Sequence, residues 1–341
     1  MAIVPPEIQA FVVEWVYRLS QHRLKIDYNT ILACALVCRA WRPIAQRLLF
    51  RRVTPGVRVK RLLRTLRACP HLAAHVRSLH LTLTQADAVD ATLLEVCPNV
   101  AGLHMEVGAQ YTQFTDMRQL AIPQHITSVT LSGSPYDVDA VLQLWPGLPA
   151  LEIDDVLVYE DAPDDPPLVR IPSAVSSLSL HPYVITQILA TDRDLPALHD
   201  LEFNEPHWSS TEWPPILRAS GLLPKLRTLV LTGPLPPNDI LEQLEQLDSL
   251  VINALPDGAV SLPKSLRHIG YHHHIDVWTY SPNDASFLLA ALRALRRLEL
   301  VTVTRKKLPV ETLAEIGDVC RELDVELVTF ETPEHFPLSV L

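Results

Sequence analysis

The stretch PKLRTLVL, Pro224–Leu231, poses the question of the fold: a proline, an apolar residue at Leu226, two open positions, Leu229, one open position and Leu231. Leu229 and Leu231 would share one face of an extended chain, because side chains alternate along a strand. The same frame starts at Val76, Val100, Ile126, Leu148, Val175, Leu198, Leu226, Leu247, Leu266, Leu295 and Cys320, at spacings of 19–29 residues. In a chain that is 48% hydrophobic, such a frame matches by chance at roughly one position in nine, so the apolar pattern alone does not decide. The prolines do. Pro98, Pro123, Pro146, Pro172, Pro196, Pro224 and Pro263 fall within three residues upstream of seven of the eleven frames, where about two or three would occur at random. Proline cannot continue a helix and biases its neighbour toward extended structure, so each one marks the passage from a return segment into a short strand.

Between the frames, apolar residues at helical spacing predict helices over 88–96, 138–144, 240–247, 287–295 and 310–320. "PPND" before Ile240 and "SPND" before Ala285 offer Asn or Asp as caps for the first free amides. A strand of a few residues and a return helix, repeated at this period, predict an α/β repeat solenoid. A doubly wound sheet needs about 30 residues or more per unit. Residues 70–330 resemble the leucine-rich-repeat family. The Asn or Cys which that family carries three residues after the last Leu is replaced by Thr84, Gly108, Ser134, Val156, Tyr183, Pro206 and Pro234. The resemblance therefore implies irregular repeats without a buried Asn ladder.

The first fifty residues follow another period. In "VPPEIQAFVVEWVYRL", Pro5 or Pro6 suits a first helical turn and Glu7 favours its N-terminus, while Ile8, Phe11, Val12, Trp15, Val16 and Leu19 recur at helical spacing. A second helix is expected over Thr30–Arg39, and Pro43 then opens a third over Ile44–Phe50. Cys34 and Cys38, four apart, invite a metal reading. Cys69, Cys97 and Cys320 are scattered singly, however, so these thiols read as small apolar residues in a reducing compartment.

"VPPEI", "LVCRAW" and "LLFRRV", in that order and at about the right distances, resemble the F-box, the adaptor-binding module of cullin–RING ubiquitin ligases. The sequence has Val4 where that family usually has Leu, and its first loop is longer. Together with degenerate leucine-rich repeats, it is similar to the large F-box families of mushroom-forming fungi. The resemblance implies four segments: an F-box-like three-helix module over 1–53, a connecting helix over 54–75, an irregular leucine-rich-repeat-like solenoid over 76–330, and a tail over 331–341. It implies that Pro5, Pro6, Glu7, Ile8, Leu36, Val37, Cys38, Trp41, Leu49 and Phe50 dock or support an acidic Skp-type adaptor, and through it a cullin. The function implied is that of a substrate receptor that brings a protein to the ligase and does no covalent chemistry itself.

Charge agrees in sign. Residues 1–70 hold 13 Lys/Arg against 3 Asp/Glu, whereas the rest holds 16 against 36, within a net charge of −10. An acidic body repels phosphate backbones and favours basic protein surfaces, so a basic protein substrate is expected rather than nucleic acid. Glu152, Asp154, Glu202, Asn204 and Glu299, between or just after the apolar frame positions, are the candidates for that surface. "YEDAPDDPP", 159–167, reads as a solvated loop, and "YHHHID" as a polar strand end rather than a metal site. Walker, nucleophile-elbow, dinucleotide and zinc-protease motifs are absent from the sequence, so no cofactor or metal is expected. No window of eighteen uninterrupted apolar residues occurs, and the start lacks a signal-peptide pattern; the expected location is cytoplasmic or nuclear. A repeat scaffold whose N-terminal bundle merely caps the array is the alternative.

Overall fold

The computed structural model describes residues 5, 8, 10–14, 17, 28–55, 59–83, 88–107, 123, 125–133, 135–143, 145–156, 169–180, 195–203, 213–231, 235–252, 260–271, 283–304 and 308–330. The chain divides into two compact units, Met1–Leu148 and Pro149–Leu341.

The first unit runs α1 (Tyr28–Val37), α2 (Trp41–Leu49), β1 (Arg52–Val53), α3 (Val59–Ala68), α4 (Pro70–Ala73), β2 (Ser78–Leu83), α5 (Ala88–Val96), β3 (Gly102–Val107), β4 (Ser128–Gly133) and α6 (Pro135–Leu142). Its strands pair in parallel and in chain order. The second unit begins with β5 (Ala150–Val156), β6 (Ser177–Leu180), β7 (Asp200–Phe203), α7 (Trp213–Ala219), a 3-10 turn at Leu223–Lys225 and β8 (Thr228–Leu231). It continues through α8 (Asn238–Leu241), β9 (Ser249–Ile252), β10 (His268–Tyr271), α9 (Asn283–Ala294), β11 (Leu300–Thr304), α10 (Val310–Glu322) and β12 (Glu326–Phe330). Here too every strand pairs in parallel with the next. Within each unit this is the stacked α/β coil predicted from the frames. A parallel strand needs a crossover of a dozen or more residues, which the 19–29-residue spacing supplies.

Two recurring hydrogen-bond devices explain the sequence pattern. The first is a turn into each strand: Val100 N–H donates to Cys97 O, Leu148 to Trp145 O and Leu198 to Leu195 O. Pro98, Pro146 and Pro196 occupy the second position of those turns, where the fixed proline φ is already correct. Pro123, Pro172 and Pro263 occupy the first position and accept the bond, from Ile126, Val175 and Leu266. The second device is a carbonyl ladder. Arg51 O accepts the amides of both Arg77 and Ser78, Arg77 O those of Ala101 and Gly102, and His199, Arg227, Asp248 and Arg267 repeat the arrangement, at 2.8–3.1 Å. Backbone carbonyls thus stitch coil to coil at the entry to each strand.

The inward positions of the frame fill the core: Leu79 and Leu81, Leu103 and Met105, Leu178 and Leu180, Leu229 and Leu231 are all buried. Each fully buried side chain of this size contributes about 1.5–3 kcal/mol. Two frames, however, are misplaced by the sequence reading. His268 pairs with Leu300, so the tenth frame is Leu298, Val301, Val303, and Leu295 is the turn residue that accepts the Leu298 amide. The last frame fails as well. Cys320 lies buried in α10 and Leu323 is exposed beyond its end, while the strand starts at Glu326.

Other expectations are corrected locally. Pro237, not an Asn or Asp, precedes α8, and Asn238 Oδ1 accepts the Ser261 amide instead of capping the helix. The second helix of the N-terminal module ends at Val37, so Cys38 leaves the helix and is exposed while Cys34 is buried. Pro43 sits inside the first turn of α2 rather than starting it. The first helical stretch buries Val13 and Tyr17, which pack with Ile31, Cys34, Ala45 and Leu48. Ile8 and Phe11, expected on the core face, are exposed. The boundary drawn at residue 53 falls at the end of β1, whose Arg52 and Val53 pair with Ser78 and Leu79. The tail 331–341 lies outside the described residues.

Candidate functional site

Two surfaces follow from this construction. The first is on the N-terminal module. Ile31 and Cys34, three apart on α1, face the module's core. Leu32 and Leu36, four apart, form a second apolar stripe on the same helix, and that stripe is bare: Leu36 is 80% and Val37 62% exposed. Ile8 and Phe11, at 53% and 66%, add to the exposed apolar surface of the module. A ten-residue helix without a charged residue is ordinarily buried all round. Among the described residues nothing covers this side.

Of the residues assigned to adaptor docking, Pro5, Ile8, Leu36, Val37 and Cys38 are exposed. Trp41 and Leu49 are half-buried and pack against the module's core. Phe50 is half-buried too, and stands one coil before Val76 in the ladder, since Arg51 O accepts the amides of Arg77 and Ser78. Pro6 and Glu7 lie outside the described residues. The motif comparison passed over Phe11, Tyr28 and Leu32, all exposed. For Leu32 the signal is the uninterrupted apolar run 31–37 of α1, which has more apolar faces than one core can take.

The second surface is the outer face of the strands. Glu152 on β5, Ser179 on β6 and Glu202 on β7 are register partners in one row. Ser179 donates a hydrogen bond to the Glu202 carboxylate, yet burial and the like charge of Glu152 push the Glu202 carboxyl up to about 7. Glu299 does not belong to this row. It precedes β11, is exposed, and lies 3.7 Å from the Arg267 guanidinium. The misplaced tenth frame had put it on the strand face. Asp154 is a residue of β5, whereas Asn204, the 159–167 loop and His272–His274 lie outside the described residues.

From β8 to β11 the outer face is closed. Thr228, Val230, Ser249, Val251, His268 and Thr302 are buried there, although they point away from the inward frame. Ser249 Oγ lies 2.7 Å from His268 Nδ1, and Thr302 Oγ1 lies 2.8 Å from Nε2, so hydroxyls engage both ring nitrogens. Gly270 makes that reach possible: a Cβ there would stand 2.9 Å from Thr302 Oγ1 and from Val251 Cγ2. In the first unit, the His80 and His104 rings stand 4.1 Å apart on the outer face, with the Glu106 carboxylate 3.9 Å from His80. Burial and the neighbouring His104 hold His80 below its usual value, and Glu106 opposes them. Among the described residues no group of three or more His, Cys, Asp or Glu could hold a metal ion, and no helix is long and apolar enough to cross a membrane.

No family model matches the chain, and no curated protein does. Among solved structures, a structural-genomics target from Bacteroides fragilis is 13% identical over 84% of this chain and 75% of its own, with a TM-score of 0.38. A structure of a TLR13–ssRNA13 complex is 13% identical over 85% of this chain, with a TM-score of 0.35; the chain spans 45% of that one. Similarities this low carry no argument about function.

Proposed function

We propose that the chain is a substrate receptor of a cullin–RING ubiquitin ligase, docking a Skp-type adaptor through α1 and the preceding helical stretch, and a protein substrate through the outer strand face. The observation that supports it is the bare Leu32–Leu36 stripe, because a chain that leaves a second apolar helix face uncovered has a surface suited to a partner. The mechanism is proximity: holding a substrate beside the ubiquitin donor raises its effective concentration. The test is capture of purified adaptor by the wild-type chain and by Leu36→Asp. Burying an unpaired carboxylate at an interface centre should cost about 2–4 kcal/mol, reducing capture to background with circular dichroism unchanged. A folded Leu36→Asp chain that captures adaptor at wild-type strength would falsify the docking assignment.

A second reading, a repeat scaffold with no ligase role, is favoured by the continuity of the module with the array. The Tyr28 hydroxyl donates to Arg52 O at 3.3 Å, and α2 passes through Phe50 directly into β1. In that reading the module shields the first strand. Deleting residues 1–53 then makes the remainder aggregate in size-exclusion chromatography.

A further inference from the structure

Between Asp27 and Asp87 the chain contains no Asp or Glu and eleven Lys/Arg. The structure divides this basic run among different elements. α1, with the bare apolar stripe, holds none of the cations, whereas α3 holds four in ten residues: Lys60, Arg61, Arg64 and Arg67. Leu63 and Leu66 anchor α3 in the core, and all four cations are exposed. On a helix at 100° per residue, Lys60, Arg64 and Arg67 fall within about 60° of arc, along a stripe about 10 Å long. Among the described residues no acid pairs with any of them. Even Glu95, exposed on the neighbouring α5, makes no ion pair with them.

A surface helix of mixed sequence would normally carry acids three or four residues from its cations, which stabilise it through paired charges. Here the like charges repel along the stripe, and an acidic partner would relieve that. We propose that α3 is a second docking site, separate from the apolar stripe of α1, and that its occupant is an acidic polypeptide segment. Carboxylates suit it because the guanidinium fork takes them in bidentate pairs. Nucleic acid suits it less, because residues 54–77 contain no Phe, Tyr or Trp on which a base could stack.

The experiment uses the full chain and a short fluorescein-labelled peptide of alternating Glu, Ser, Asp and Gly, read by fluorescence anisotropy. Wild type should bind the peptide at low ionic strength and weaken as salt is added. Neutralising three cations, in Arg61→Gln/Arg64→Gln/Arg67→Gln, should lower affinity about tenfold or more, while Leu36→Asp leaves it unchanged. The double variant Lys60→Gln/Arg64→Gln gives the same reading if the triple variant does not fold. Three results overturn the proposal: no peptide binding by wild type at low salt, wild-type affinity in a folded neutralised variant, or tighter binding of poly(U) RNA or anionic vesicles than of the peptide at matched salt. Because Leu36→Asp and the arginine variants act on different helices, failure of adaptor docking and failure of this site are told apart.

Discussion

Strands β5–β7 and β8–β11 belong to the same unit, follow the same inward frame and pair in the same parallel register, yet their outer faces differ. In the first group that face carries Glu152, Glu202 and Asp200, each only partly buried, beside a buried Ser179; in the second it is closed over Val230, Val251, His268 and Thr302. The core-side pattern therefore does not tell which face of a strand meets solvent. The outer rows do, through residue type: carboxylates where the face is open, and a glycine, valines and a hydroxyl-bonded histidine where it is closed.

The comparison can be broken most directly at the positions where the two groups should not differ. Leu178→Ala in β6 and Leu250→Ala in β9 both remove fully buried inward side chains and should each cost about 2–5 kcal/mol in urea unfolding. A silent Leu178 variant would mean that the open group lacks a true core. The next effect separates the groups by pH. Glu202 has a folded value of about 7 against 4.5 for an ordinary glutamate, so the folded state keeps a proton that the unfolded chain releases. Stability should therefore fall as pH rises from 4.5 to 7, by roughly 3 kcal/mol at most, and stay level above that. Glu202→Gln should flatten the slope in pH-dependent melts, and an equal slope in both proteins would mean that Glu202 is solvated.

A smaller effect is expected on the closed face. Gly270→Ala drives a Cβ against Thr302 and Val251 and should cost about 1–3 kcal/mol in thermal unfolding; no loss would show the face to be open there. Smallest of all, Glu299→Gln removes an exposed ion pair with Arg267, worth under about 0.5 kcal/mol. Hydrogen exchange at β10 and β11 should not register it.

The sequence made the repeat legible through its prolines, because their ring geometry acts locally and the turns that use them recur. Of the four frames without a proline, those at Val76 and Leu247 keep their register, and those at Leu295 and Cys320 lose it. Leu295, Leu298, Leu300 and Leu298, Val301, Val303 satisfy the same apolar frame, and only the pairing of Leu300 with His268 separates them. That three-residue slip carried Glu299 onto the wrong face. The first helical stretch failed for a related reason: Phe11 and Val13 are both apolar, and which of them lies inside depends on where α1 and α2 pack. The polar interior of β9–β11 was illegible because it arises from cross-strand neighbours distant in sequence, with Gly270 clearing the way.

The carbonyl ladder has a consequence for biosynthesis. Each rung joins a coil only to the one synthesised just before it, as Arg227 O takes the amides of Asp248 and Ser249. Contacts are therefore short in sequence, and ordering each new coil closes only a modest loop. The nascent chain can lay each strand on a finished edge as it leaves the ribosome, with no wait for the C-terminus. A stalled chain ending after β8 should then already protect β5–β7 from protease, whereas a fold closed by its last strand would leave them open.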